Sequence, residues 1–166
     1  MAIVASDIKF YLSGGASNAD PLLSLGGAIS STQAGSNIFA NVSSGDAASG
    51  KTYYRCIYVK NTTGGGLTLE SAKVWFQANT PSTTTAVSMA LAGEGLNATA
   101  ETVVDQYTAP SGESFTAPSS SGTALSLTNI PAGQYYAIWL KLVVDASSPA
   151  YSNDGFTLRV LGDTAA

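Results

Sequence analysis

Reagent side chains are scarce in this chain, and their spacing suits few known reactions. It has no histidine and one cysteine, Cys56, in 166 residues. Without histidine the commonest general base and the commonest metal ligand are missing. A Ser-His-Asp arrangement and the usual zinc sites are therefore ruled out. Cys56 lies between Arg55 and Ile57 in an apolar run, which favours a small buried residue over a reactive thiol. The glycine runs at Gly64–Gly66 and Gly93–Gly95 match neither a phosphate loop nor a dinucleotide fingerprint. The first stands where a hairpin turn belongs. Eleven Asp and Glu offer carboxylates for glycosidase chemistry, but Asp20, Asp46, Glu94, Glu113 and Asp154 fall in turn-forming stretches. Asp145, Asn153 and Asp154 flank one loop without the alternating acids of a calcium site, so a plain turn is favoured. Eight Tyr and two Trp are possible sugar-stacking rings, yet most sit in strand-like runs, where packing is the stronger reading. No enzymatic activity, cofactor or metal is expected.

The bulk numbers point the same way. Charged residues make up 11 % of the chain, against about 25 % in ordinary globular domains. Polarity comes instead from Ser, Thr, Asn, Gln and 17 glycines. Such a surface loses little solvation energy on packing against another, which suits life in an assembly. A plain all-β domain with many Ser/Thr turns would have the same composition. The net charge is −4 and the seven Lys and Arg are scattered, so no nucleic-acid partner is expected. A single cysteine cannot close an intrachain disulfide. The opening MAIVAS lacks the basic and apolar regions of a signal peptide, and no apolar run approaches the ~18 residues of a membrane span. The chain reads as made in the cytoplasm, soluble, with no membrane partner. The Asn-x-Ser/Thr triplets at Asn41, Asn61 and Asn97 carry little weight without a secretion signal.

The elements that would position any site are strands. Residues 1–166 read as a single domain with a short flexible lead-in at residues 1–6. Asp7–Leu12 alternates, with Ile8, Phe10 and Leu12 on one face. Leu22–Gly35 reads as a bulged or edge strand, and Asn37–Val42 as a short strand before a turn-rich stretch. The centre of the chain is the pair Thr52–Asn61 and Leu67–Gln77, joined by a glycine-rich turn. Thr52–Asn61 is bulky on both faces, with Tyr53, Ile57 and Val59 on one and Tyr54, Cys56 and Tyr58 on the other. Such a strand is usually covered on both sides, one face by the sandwich and the other by a loop or a neighbouring subunit. In the next strand the apolar phase slips near Ser71, which predicts a β-bulge. Thr85–Ala92, Thr99–Tyr107 (weakly), Thr123–Leu127, Gln134–Val144 and Phe156–Gly162 complete about nine strands, with little or no helix. Gly93, Gly95 and Asn97 mark a loop. The stretch from Tyr107 to Gly122, in which Thr-Ala-Pro occurs twice, reads as an extended surface connection. These strands predict an antiparallel, jelly-roll-like β-sandwich. TYYRCIYVK and QYYAIWLK echo each other, as two equivalent strands or simply as two good ones. The candidate core or interface residues are Tyr53, Tyr54, Cys56, Ile57, Tyr58, Val59, Trp75, Tyr136 and Trp139.

The run YRCIYVKNT (Tyr54–Thr62), followed by LTL and AKVW, resembles small virion structural proteins of tailed bacteriophages. So do the opening SDIKFYLSGGASN, the segment PAGQYYAIWLK and the closing TLRVLGDT. The resemblance implies no enzymatic residues. It implies a capsid decoration or cement protein, a homotrimer on the outer capsid that stabilises the shell, with the major capsid protein or other virion proteins as partners. Its implied location is the virion, after synthesis in the bacterial cytoplasm. A tail, baseplate or head-fibre component would share this texture. From another class, a carbohydrate-binding β-sandwich module using exposed Tyr or Trp is the further alternative.

Overall fold

Bulk and alternation decide where each strand lies. The computed structural model describes residues 2–164, which form ten strands and one short α-helix. In chain order these are β1 (Ile8–Ser13), β2 (Gly26–Gly27), β3 (Ile29–Gln33), α1 (Ser44–Ser49), β4 (Lys51–Asn61), β5 (Leu69–Ala78), β6 (Thr85–Leu96), β7 (Ala100–Thr102), β8 (Leu125–Ile130), β9 (Tyr135–Val144) and β10 (Thr157–Thr164). One sheet has the order β3-β1-β4-β9-β6 and a second the order β10-β5-β8, while β2 and β7 form a small ribbon. All pairings are antiparallel. The all-β, sandwich-like architecture expected from the sequence is what forms.

The two echoing segments are the central pair. β4 and β9 run side by side from Lys51↔Val144 to Lys60↔Tyr135. Both are apolar on both faces because both faces are covered. On the inner face Ile57, Val59, Ile138, Leu140 and Val87 pack with Leu69, Val74, Phe76, Leu127 and Ile130 of the second sheet. On the outer face Tyr54, Cys56, Tyr58, Ala90, Ala137 and Trp139 pack with Ala100 and Val103. The cover there is the β2–β7 ribbon and its adjoining loops, supplied by the same chain.

The bulge foreseen at Ser71 is present: the β5 register shifts between Leu69 and Ala72, and Ser71 takes φ 50°. The shift returns Leu69, Ala72, Val74 and Phe76 to one core. Phe156, Leu158 and Val160 also face that core.

Several expectations need correction. The glycine-rich turn after Asn61 does not close a hairpin, since β4 and β5 belong to different sheets. Glycines permit reversal but do not choose a partner, and β4 pairs instead with the equally two-faced β9. Asn37–Val42 forms no strand; Ile38 buries its side chain and uses its carbonyl to accept from Arg55 Nε at 3.2 Å. The turn-rich stretch after it contains α1, whose N-cap Ser43 Oγ accepts from the Asp46 N–H at 3.1 Å. Gly93 and Gly95 lie inside β6, where the pairing with β9 slips between Leu91 and Leu96. Within Thr99–Tyr107 the strand is confined to β7, and Thr123–Leu127 is displaced to β8. Of the lead-in, Met1 lies outside the described residues, and Ala5–Asp7 makes one 3-10 turn.

Candidate functional site

The nine candidate residues do not converge on one site. Tyr53, Ile57 and Val59 lie in the inner core with Tyr136 packed at its margin. Tyr54, Cys56, Tyr58 and Trp139 lie in the outer core. Trp75 is on neither: it is 7 % exposed, with the Arg159 guanidinium 5.7 Å from its ring centre. Eight of the nine are buried, Tyr136 being half-buried.

Their chemistry is that of tethers. Cys56 is fully buried, and burial pushes its thiol well above the ordinary range. Tyr58 Oη donates to Gly27 O at 2.6 Å and accepts from the Ala100 N–H at 2.9 Å. One hydroxyl thus clips both strands of the ribbon to the sheet. Burial pushes its pKa up to about 12, partly opposed by the Ala100 bond. The ribbon itself approaches closely at Gly26, where a Cβ would sit 1.7 Å from Glu101 O; only glycine fits. Where β1 ends, loop carbonyls continue the ladder along β4: Ser24 O accepts from the Cys56 N–H and Gln106 O from the Tyr54 N–H, at 2.8 and 2.7 Å.

Three residues outside the candidate set matter as much. Arg55 is fully buried, with Nε donating to Ile38 O, Nη1 to Tyr54 O and Nη2 to Gln106 Oε1. Those acceptors are all neutral, and burial lowers its pKa. Asn61 is buried, and its Nδ2 donates to Leu67 O and Ile130 O, each at 2.9 Å. It bolts the β4–β5 arch to β8. Ser13 Oγ donates to Cys56 O and accepts from the Gly26 N–H. Sequence spacing carried no sign of these roles, because the partners that define them, Ile38 and Gln106 for Arg55, Ile130 for Asn61 and Cys56 for Ser13, are distant along the chain.

Most of the carboxylates are engaged in shaping loops. Glu94 accepts from the Glu101 N–H, Glu113 from the Gly93 N–H, and Glu101 from the N–H and hydroxyl of Ser111. Asp105 Oδ1 takes the N–H of Tyr107 and the N–H and hydroxyl of Thr108, which holds its pKa below the usual carboxylate value. Asp154 accepts from Ser82 N–H and the Thr85 hydroxyl, locking its loop to the start of β6. Among the described residues no group of three His, Cys, Asp or Glu is placed to hold a metal ion. Two depressions, one lined by Gly14, Asn18, Asp20 and Leu23 and the other by Lys73, Leu161 and Asp163, are shallow and open.

What does stand out is where large apolar side chains meet solvent. Leu22, Leu23, Val104 and Tyr107 are exposed on the loops flanking the ribbon, Val104 at 85 % and Leu23 at 60 %. The Val103 N–H donates to Leu25 O at 2.9 Å, so the two loops run side by side. Tyr107 packs against Tyr53 at a tilt of 46° with 5.4 Å between ring centres, and Lys51 Nζ lies 5.2 Å from the Tyr107 ring centre. No helix among the described residues is long and apolar enough to cross a membrane. No protein-family model matches the chain, and comparison with curated proteins and with solved structures finds no match either.

Proposed function

We propose that this chain is a non-enzymatic virion structural protein, a capsid decoration protein carried as a homotrimer and docked through the loops beside its ribbon. The observation that carries the reading is the exposure of Leu22, Leu23 and Val104 on that one layer. The layer is firmly held from beneath by Tyr58 and the β4 backbone. A rigid platform with apolar tips loses little conformational entropy on docking. The sparse charge of the surface, 11 % of residues, keeps the desolvation cost of a broad contact low. The sequence resemblance supplies the class of partner, the capsid shell, and symmetry multiplies a modest contact by copy number. A carbohydrate-binding role draws less support: both tryptophans are buried, Trp75 at 7 % and Trp139 at 0 % exposure, which leaves Tyr107 and Tyr151 as its exposed rings.

The test is binding to expanded capsids, followed by cryo-electron microscopy of the particles. Density at local threefold positions is the expected result. The exposed-site variant L23S/V104S should keep its fold by circular dichroism and bind at least about tenfold more weakly, since two apolar side chains of about 1–2 kcal/mol each are lost from the contact. Density on the tail or baseplate would move the assignment to another virion part. A chain that never accompanies particles and instead gives a glycan-array signal would overturn it.

A further inference from the structure

The outer strands of the sheets leave one side of the backbone without a strand neighbour, and β10 does so over its full length. β10 is an outer strand of the three-stranded sheet, with β5 on its other side. Natural edges are usually blunted by shortness, charged side chains, proline, a bulge or a cover; β10 carries two charges, Arg159 and Asp163, but of opposite sign and so complementary to a second copy. β10 runs for eight residues without proline and with no residue fully buried. The extra residues in its pairing with β5 fall on β5, at Gln77 and around Ser71, so β10 itself is regular. At its last residue Thr164 Oγ1 accepts from the Ile3 N–H. The outward face carries Thr157, Arg159, Leu161 and Asp163, with Leu161 at 49 % exposure.

We propose that β10 pairs antiparallel with β10 of a second copy of this chain, about a twofold axis through Leu161. Two three-stranded sheets then become one of six. Directly opposed residues of an antiparallel pair share a face and a hydrogen-bonding class, so only registers that pair odd with odd and even with even are open. With the axis at Leu161, Arg159 stands opposite Asp163 of the second copy, and the same pair recurs on the far side of a Leu161–Leu161 contact. On the other face Val160 meets Gly162. Moving the axis to Val160 sets Arg159 against Leu161 and loses both ion pairs. Within its own chain Asp163 lies in register with Glu70. Among the described residues the Asp163 carboxylate has no hydrogen-bond or ion-pair partner, so it is open to a guanidinium from the second copy, and opposite charges directly opposed across an antiparallel pair are favourable. The contact is isologous and goes beyond the capsid reading: it joins two chains, or two trimers, by the same edge.

Sedimentation equilibrium of the full chain at low ionic strength tests it. Wild type should associate into species with an even number of chains. R159D sets carboxylates against carboxylates and D163R sets guanidiniums against guanidiniums. Each variant alone should associate at least about tenfold more weakly. An equimolar mixture of the two should recover wild-type association, because each variant then faces its complement. That recovery also shows that both variants are folded. A wild type found only as monomer or trimer, variants that associate as before, or a mixture that stays dissociated would each overturn the pairing. Capsid binding by R159D is expected to be unchanged at single-site level, so failure of the edge contact and failure of the capsid reading remain distinguishable.

Discussion

The two faces of the five-stranded sheet are closed by different means. The inner face meets another sheet, and its cover is mostly aliphatic: Ile57, Ile138, Leu140 and Val87 against Val74, Leu127 and Ile130, with Phe76. Shape and buried area hold that side together. The outer face meets a two-residue ribbon strand, a three-residue one and irregular loops. A cover that irregular leaves many backbone groups unpaired, and it is held by hydrogen bonds from Tyr58, Ser13, Cys56 and Tyr54. Its large residues are spaced by small ones. Trp139 is flanked in register by Cys56 and Ala90, which leaves room for the indole and for a close-lying loop. Regular layers can be glued by apolar surface alone, whereas an irregular layer has to be pinned.

That contrast can be broken from either side. The largest effect is expected from Phe76→Ala, which opens the inner core and should cost about 3–5 kcal/mol in urea unfolding, with every region losing amide protection together. Next comes alkali. The folded-state pKa of Tyr58 is raised to about 12 from an ordinary 10.0, so the native state holds this proton more tightly than the unfolded chain does. The associated stability is complete below pH 10 and falls as pH rises from about 10 to 12, by about 2–3 kcal/mol. Tyr53 and Tyr136, both raised chiefly by burial, act in the same direction. Phenolate absorbance against unfolding free energy would register the coupling, and stability that is flat across this window would refute it. Tyr58→Phe is the smaller and sharper change. It leaves Gly27 O and the Ala100 N–H without this partner for about 1–2 kcal/mol, and hydrogen exchange should rise first around β2 and β7. Exchange that rises equally in β5 and β8 would show that the ribbon is not separately pinned.

The long strands were legible in the residues, and so was the Ser71 bulge, because side-chain alternation is a local property that survives any pairing. The apolar run of β4 announced two covered faces, and the structure covers both. The hairpin expected between β4 and β5 failed because turn residues report a change of direction and nothing about the next neighbour. Asn37–Val42 alternates like a strand, yet its carbonyl at Ile38 goes to a buried guanidinium. Asn61 looked like an Asn-x-Thr triplet and proved to be a joint between sheets. The candidate aromatic residues divide between two cores and an isolated Trp75, a division not visible in spacing.

Composition and alternation alone excluded histidine-based chemistry, set the β class, and required that the central strand be hidden on both sides. Only the tertiary structure decided that the same chain hides it, that Tyr58 and Arg55 become anchors, and that β10 is left open. The reason is physical: periodicity records which side of a strand avoids water, whereas hydrogen-bond partners distant in sequence are chosen by the folded arrangement as a whole.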